Sequence, residues 1–453
     1  MIPAVAQYVE LYLAHRDLID RNSCEVMNRL RSDACRVLEE KPIPERGAED
    51  YEHTDLPALL APDYGINLSR VNIDVNPADT FHCDVPNLST SLFLMINDRW
   101  SRTETSYTGL PEGVEICNFA DFSQRHPDLA EKYYGKIADI NNPVVALNTM
   151  LVQDGFVLYV RKGVKVEKPI QLVNILQNGM PLMALRRILV ILEEDSEARL
   201  LVCDHTQNPD TDFLTVQTIE IFAARNSVFD YYDLEESTER TNRLSSLYLR
   251  QEEGSNVLID GITLFNGKTR NEYRTFFNGS HSSLRLLGMG IIDKKRQLEN
   301  YTRVAHDVAQ CNTDELFKYV VDEEASGSFT GRIYVAEGAC KTEAYQSNRN
   351  LLGSDTARMF SKPQLEIYND DVKCSHGTAI GRLDAMQMFY MRTRGLSEEE
   401  ATLLLKQAFM ADVIDGVRLP ILRDRLRHLV ECRFAGESSA CNACKSHPSS
   451  PFK

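Results

Sequence analysis

The chain has 453 residues, 43% hydrophobic and 26% charged, the balance of a soluble globular protein long enough for two or three domains. A net charge of −16 at pH 7 argues against a general nucleic-acid binder and against docking on anionic membranes, both of which need basic surface. Eleven cysteines, an odd number at low density, read as reduced thiols rather than as a disulfide framework.

In chain order, "MIPAVAQYVELYLAHRD" lacks the basic start of a targeting segment and reads as an amphipathic helix carrying Glu10 and Asp17. Apolar runs such as "ILVIL" at 188–192 are too short to cross a bilayer, so a cytoplasmic location is the expectation. Val5, Tyr8, Leu11, Leu13 and Leu18, then Val26, Leu30, Ala34, Val37 and Leu38, give two helical stripes. "KPIPERG" breaks the pattern. Strand-like pieces such as "INLSRVNIDV" and "SLFLMIND" follow up to Ser101, and "ADFSQRHPDLAEKYYGKIA" returns to helix.

From about Asn142 to Tyr368 the chain is a succession of short Val-, Ile-, Leu-, Tyr- and Thr-rich segments bounded by turn residues, with few helices between them. That excludes a doubly wound α/β sheet and suggests a sandwich, a barrel or a β-solenoid. A solenoid fits the length best, although no strict short repeat is visible.

After Gly381 three helices are expected. "RLDAMQMFYMRTRG" ends at Gly395, a glycine C-terminal cap. The next helix starts with a capping box of Ser397 and Glu400 and shows an apolar face of Leu403, Leu404, Ala408, Val413 and Ile414. "LPILRDRLRHLVECRF" gives the third, with Arg, His and Arg late in it. The expected organisation is therefore a mainly β chain: residues 1–135 helical and mixed, 136–376 the β core, 377–435 a helical domain and 436–453 a disordered tail.

The junction between core and helices carries the chemistry. In "KPQLEIYNDDVKCSHGTAIGRLD", Asn369, Asp370 and Asp371 form a turn. A strand after that turn puts Cys374 and His376 on one face, about 7 Å apart, with Gly377 letting the chain leave the sheet. A thiol beside an imidazole suits zinc, iron or an activated cysteine, but a structural zinc or an iron–sulfur cluster normally takes four ligands. Two groups are half a site, to be completed by distant residues or by another subunit. The plain alternative is a buried thiol next to a satisfied imidazole. Asn348, Arg349 and Asn350 read as a structural polar ladder in solenoid turns rather than a binding site, and His306 and Cys311 carry no assigned role. In the tail, "CNACKSH" offers Cys441, Cys444 and His447, with Cys432 upstream. That resembles half a zinc site with no second half evident, and an adventitious metal-binding or unstructured tail is the preferred reading.

The ordered segments "GRIYVAEGACKTEAYQSNRNLLGSD", "PQLEIYNDDVKCSHGTAIGRLD" and "MFYMRTRGLSEEEATLLLKQAF" resemble the SufB/SufD family of SUF-system iron–sulfur cluster assembly proteins, over about Arg332 to Phe409 and more weakly through the β body. "DDVKCSHG" resembles the SufD branch. SufB proteins usually read Glu-His-Glu where this chain has Ser375, His376 and Gly377, and Ser354 stands where SufB carries a cysteine. That departure argues against this chain as the main sulfur acceptor.

The resemblance implies a right-handed parallel β-helix between helical terminal domains. It also implies a non-catalytic scaffold subunit, paired with a SufB homologue through the β-helix and bound by the ATPase SufC through the C-terminal helices. Cys374 and His376 would then lie at the interface as candidate ligands of a transient, shared iron–sulfur cluster. A homodimer of the isolated chain is a further candidate assembly, and a flavin a further candidate cofactor without a place in this sequence. No Gly-x-x-x-x-Gly-Lys-[Ser/Thr] pattern occurs, so ATP hydrolysis falls to the partner. Two alternatives stand beside this reading: a structural partner that never touches the cluster, and a β-helix enzyme acting on carbohydrate.

Overall fold

A computed structural model describes residues 3–71, 90–101 and 110–436. The expected disordered tail, and Cys83, Cys441, Cys444 and His447 with it, lie outside the described residues.

The core is a parallel β-solenoid of about eight turns. Alternate strands feed two sheets, so that from Phe156–Val160 up to the last two strands each strand pairs in parallel with the strand two further along the chain. Strand Asn256–Phe265, for example, pairs in parallel with Val228–Glu236 on one side and Ser283–Ile292 on the other. The sequence makes this possible because β-branched and aromatic residues alternate with period two, and one parity fills the interior. Phe156, Leu158 and Val160, Ile188 and Val190, and Ile219 and Ile221 meet in that interior.

The opposite parity of each sheet is covered by helices. On one side, helices Pro3–Arg21, Glu25–Glu40 and Pro143–Leu151 pack over Met183, Leu185, Leu189, Leu214 and Val216. On the other, helices Glu398–Ile414 and Pro420–Phe434 lay Met410, Val413, Leu426 and Val430 over Leu258, Ile262, Leu287 and Met289. The solenoid is thus a filled tube held between two helical layers.

Several sequence expectations shift in physical detail. "ADFSQRHPDLAEKYYGKIA" forms two helices, Phe119–Arg125 and Pro127–Tyr133, broken at His126 because the residue before a proline avoids helical geometry. Residues 143–151, read as β, form a helix: Asn142 caps it by accepting from Val144 N at 2.9 Å, and Pro143 occupies the first turn. The capping box of Ser397 and Glu400 is present in both directions. The buried face of that helix, however, is Ala401, Met410, Val413 and Ile414, with Leu404 and Ala408 turned to solvent.

The interior is not uniformly apolar. Arg186 and Arg243 both reach Asp204, at 2.8 and 3.3 Å, and Arg243 also pairs with Asp233. Asn271 donates to Asn300 at 3.1 Å one rung further on. A polar seam therefore runs inside the tube toward the end where the last strands lie.

Candidate functional site

The two last strands, Arg358–Ile367 and Lys373–Gly381, each terminate one sheet. Among the described residues, each bonds to a neighbour on one side and leaves its other edge without a strand. Cys374 and His376 stand at alternate positions of the final strand, paired in register with Ala344 and Gln346. Both of those residues are buried and point inward. The strand geometry thus brings Cys374 and His376 together on the inward-facing side of the last rung, where no further rung covers them. Cys374 is half-buried beside Ile333, Val335 and Ala344, while His376 is exposed.

One expectation here is corrected. The chain does not leave the sheet at Gly377; the strand continues through Gly381, and a Cβ at Gly377 would meet nothing within 4 Å. The rung is held at its far end by Thr378, which donates to Ser361 Oγ at 2.7 Å across the mouth of the tube.

Behind His376 the interior column changes character. In register, Ile259 and Leu286 give way to Glu315, Gln346 and then His376. Gln346 Nε2 donates to Glu315 Oε2 at 2.8 Å, and Thr302 Oγ1 donates to the same oxygen at 3.0 Å. Burial pushes the Glu315 carboxyl up to about 7, so it keeps its proton into the neutral range. Glu315 Oε1 and Gln346 Oε1 are buried without a hydrogen-bond partner among the described residues. Sequence reading missed this pair; the available signal was polar residues at the inward parity of "DELF" and "AYQSN".

Burial also pushes the Cys374 thiol up, with the Ala344 backbone hydrogen bond acting against it. A metal ion or a cationic neighbour is what would make it a thiolate ligand. Among the described residues, no three His, Cys, Asp or Glu side chains gather as a metal-binding group.

The other candidates resolve as structure. Asn348 and Asn350 are inward, buried and bonded to each other at 2.7 Å, with Asn350 Nδ2 also donating to Ala379 O; they form a ladder within a strand rather than in a turn. Asp371 holds the turn through its carbonyl, which accepts from Lys341 N at 2.6 Å. Ser354 donates to Glu323 O at 2.6 Å. His306 is buried, stacks on Phe277 and bonds Thr313 at 2.9 Å; burial pushes its imidazole down to about 4.

Around the open rung the surface is apolar: Phe360, Ile367, Tyr368 and Ile380 are all exposed, Tyr368 by 60%. The helix that follows, Ala385–Thr393, has no buried residue, and Met386 and Phe389 are 74% and 63% exposed. Among the described residues, no helix is long and apolar enough to cross a membrane.

Comparison with known proteins gives two family matches: "SUF system FeS cluster assembly, SufBD core domain" over residues 175–409, and "SufBD protein N-terminal region" over residues 3–172. An iron-sulfur cluster assembly SufBD family protein of Synechocystis is 25% identical over 429 residues, 93% of this chain and 94% of its own. The iron-sulfur cluster assembly protein SufD of Escherichia coli is 30% identical over 293 residues, 64% of this chain and 69% of its own. SufD of Bacillus subtilis is 26% identical over 426 residues, 89% of this chain and 93% of its own.

Proposed function

The chain belongs to the SufBD family of SUF-system iron–sulfur cluster assembly proteins, and on that premise we propose that it is the SufD-like subunit of a scaffold built with a SufB homologue and the ATPase SufC. The nascent cluster is the cargo of such a scaffold. Residues 136–376 serve as the cluster-bearing body and 377–435 as the docking body. Family membership leaves the carbohydrate-enzyme alternative without support.

The observation that carries the proposal is the open last rung. A thiol and an imidazole stand side by side at a bare sheet edge, ringed by exposed apolar side chains. A second β-helix laid against that edge would bury the apolar ring, pair the edge backbone and supply the missing ligands. His376, being exposed, takes the role of cluster ligand or sulfur-handling group. Cys374 joins once a metal replaces its proton.

The helices from Leu383 to Phe434 dock SufC in this reading. ATP-driven SufC dimerisation would draw the two helical domains together, shear the β-helix interface and open Cys374 and His376 to iron and sulfide. The subunit itself is a non-catalytic scaffold working in the cytoplasm.

The test is co-expression with the matching SufB and SufC chains, anaerobic reconstitution and absorption spectroscopy. His376→Ala is expected to abolish cluster formation, and Cys374→Ser to reduce it severely, while gel filtration shows the complex intact. Undiminished cluster yield in both variants would hand the field to the structural-partner reading, which the packing of Cys374 against Ile333 and Val335 favours.

A further inference from the structure

The interior column that ends at His376 has a direction. Thr302 Oγ1 and Gln346 Nε2 both donate to Glu315 Oε2, at 3.0 and 2.8 Å. The bond from Nε2 fixes which way the Gln346 amide lies: its NH2 faces back toward Glu315, and its carbonyl oxygen is left to the other side. That oxygen, Oε1, is buried without a hydrogen-bond partner among the described residues. One rung further on, in register with Gln346, stands His376.

In-register polar side chains bond one another elsewhere in this tube. Asn174 Nδ2 donates to Asp204 Oδ1 at 2.7 Å, and Asn271 Nδ2 to Asn300 Oδ1 at 3.1 Å, each pair in register on neighbouring strands. Strands about 4.8 Å apart put such side chains within reach. Gln346 and Glu315 are a third case, and His376 beside Gln346 is the next step of the same ladder.

The surroundings leave that step to the imidazole. Gly331 faces Gln346 from the other sheet, where a Cβ would stand 2.8 Å from Oε1 and closer still to Nε2; the amide fills the room its missing side chain leaves. In register beyond Gly331 comes Pro363, whose side chain neither donates nor accepts. On the last strand, Thr378 already donates to Ser361 and Cys374 packs with Ile333 and Val335.

We propose that Gln346 is a positioning residue for His376: its Oε1 accepts from one ring N–H of the imidazole, holding a single tautomer whose other nitrogen turns its lone pair out of the tube toward incoming iron. Glu315 and Thr302 set the direction of the amide, and Gly331 gives it space. The role rests on reading His376 as a cluster ligand. A histidine ligand binds through one unprotonated nitrogen, and a carbonyl that holds its other N–H fixes the ring and raises its basicity.

The test has two arms. In the first, the full chain is labelled with ¹⁵N-histidine and its ring nitrogens are observed by long-range ¹H–¹⁵N correlation near pH 8.5, above the ordinary imidazole range. The His376 signals are those lost in His376→Ala. Wild type is expected to show one pyrrole-like and one pyridine-like nitrogen, well separated. In Gln346→Met, which conserves volume but removes the acceptor, and in Gly331→Ala, which displaces the amide, the two should move toward a common average. Glu315→Gln keeps an acceptor for Gln346 Nε2 and should keep the wild-type pattern. Thermal melting checks that each variant is folded. In the second arm, anaerobic reconstitution with the matching SufB and SufC chains, Gln346→Met should form cluster about 10-fold or more slowly, the loss typical of an outer-shell partner. Averaged nitrogens in wild type, a separation that survives Gln346→Met, or an undiminished rate in Gln346→Met where His376→Ala forms no cluster would each overturn the proposal. Full cluster yield in His376→Ala overturns the ligand reading instead, and with it the part of Gln346 in the reaction, while the tautomer pattern still tells whether the hydrogen bond itself forms.

Discussion

Asp260 shows how one residue can carry a cost that its neighbours do not relieve. It sits mid-strand on the outward parity, between Leu258 and Ile262, which pack under Met410 and Val413. Neither carboxyl oxygen has a hydrogen-bond partner among the described residues. Tyr232 and Arg285 face it from the adjoining strands; on the helical side, Arg418 is engaged with Asp230 at 2.9 Å and Asn256 at 2.8 Å. Burial pushes the Asp260 carboxyl up to about 7, with Arg285 acting against it. An unfolded aspartate ionises near pH 3.9, so both states are protonated below about pH 4 and no penalty exists there. As pH rises from about 4 to about 7 the unfolded chain sheds its proton while the folded one holds it, and stability falls; above about 7 the loss is constant. Asp260→Asn is expected to be on the order of 2–4 kcal/mol more stable than wild type at pH 8 and to converge with it near pH 4. Glu235 and Glu315, also pushed up to about 7, act in the same direction in both proteins, so the difference between paired melting curves isolates Asp260. None of this was legible in "VLIDGITLF", which reads as a strand; only tertiary covering by the C-terminal helices makes that carboxyl expensive. Cys374 and His376 were legible because a two-residue spacing fixes a shared strand face whatever the fold around it.

Among elements, helix ends were easier to read than helix faces. Ser397 and Gly395 act locally, and each does what its side chain, or lack of one, dictates: Ser397 Oγ accepts from Glu400 N at 3.1 Å, and Gly395 takes a φ of 95°. Which face of helix Glu398–Ile414 is buried depends on where the solenoid lies, and periodicity misplaced it at Leu404 and Ala408. Helix Pro143–Leu151 escaped notice because Val144 and Val145 favour strands in isolation, and its burial on nearly all sides removes the polar stripe that marks a surface helix. Helix Ala385–Thr393 is the opposite case, with Met386, Phe389 and Tyr390 all exposed. If this element belongs to the SufC-docking surface, Met386→Asp with Phe389→Asp should weaken SufC capture at least about tenfold in a pull-down titration, since a desolvated aromatic anchor typically contributes 2 kcal/mol or more. The melting temperature should not move, because nothing in that helix is buried.

At the scale of the whole molecule, the solenoid was legible as a class but not as a count of rungs. Successive strands of one sheet begin at Asn256, Ser283, Asn312, Glu343 and Lys373, unequal steps that hide the period. The inward positions differ too, from Arg186 and Asp204 to Asn300 and Gln346, so the repeat exists in backbone register and not in side chains. The unpaired final rung with its apolar rim predicts that the isolated chain associates with itself. Tyr368→Lys with Ile380→Lys is expected to give a monomer by sedimentation velocity at concentrations where wild type is dimeric, with no loss of thermal stability. A monomeric wild type would show that the rim alone is too weak a surface.

The two ends of the tube are built differently. At the other extremity, Arg99–Ser101 and Val114–Asn118 run antiparallel to their neighbours and finish the two sheets. Two chains meeting through the same terminus make an isologous contact, the same patch on both partners. Joining two such bodies through their tails uses up each bare terminus, so growth stops at a pair.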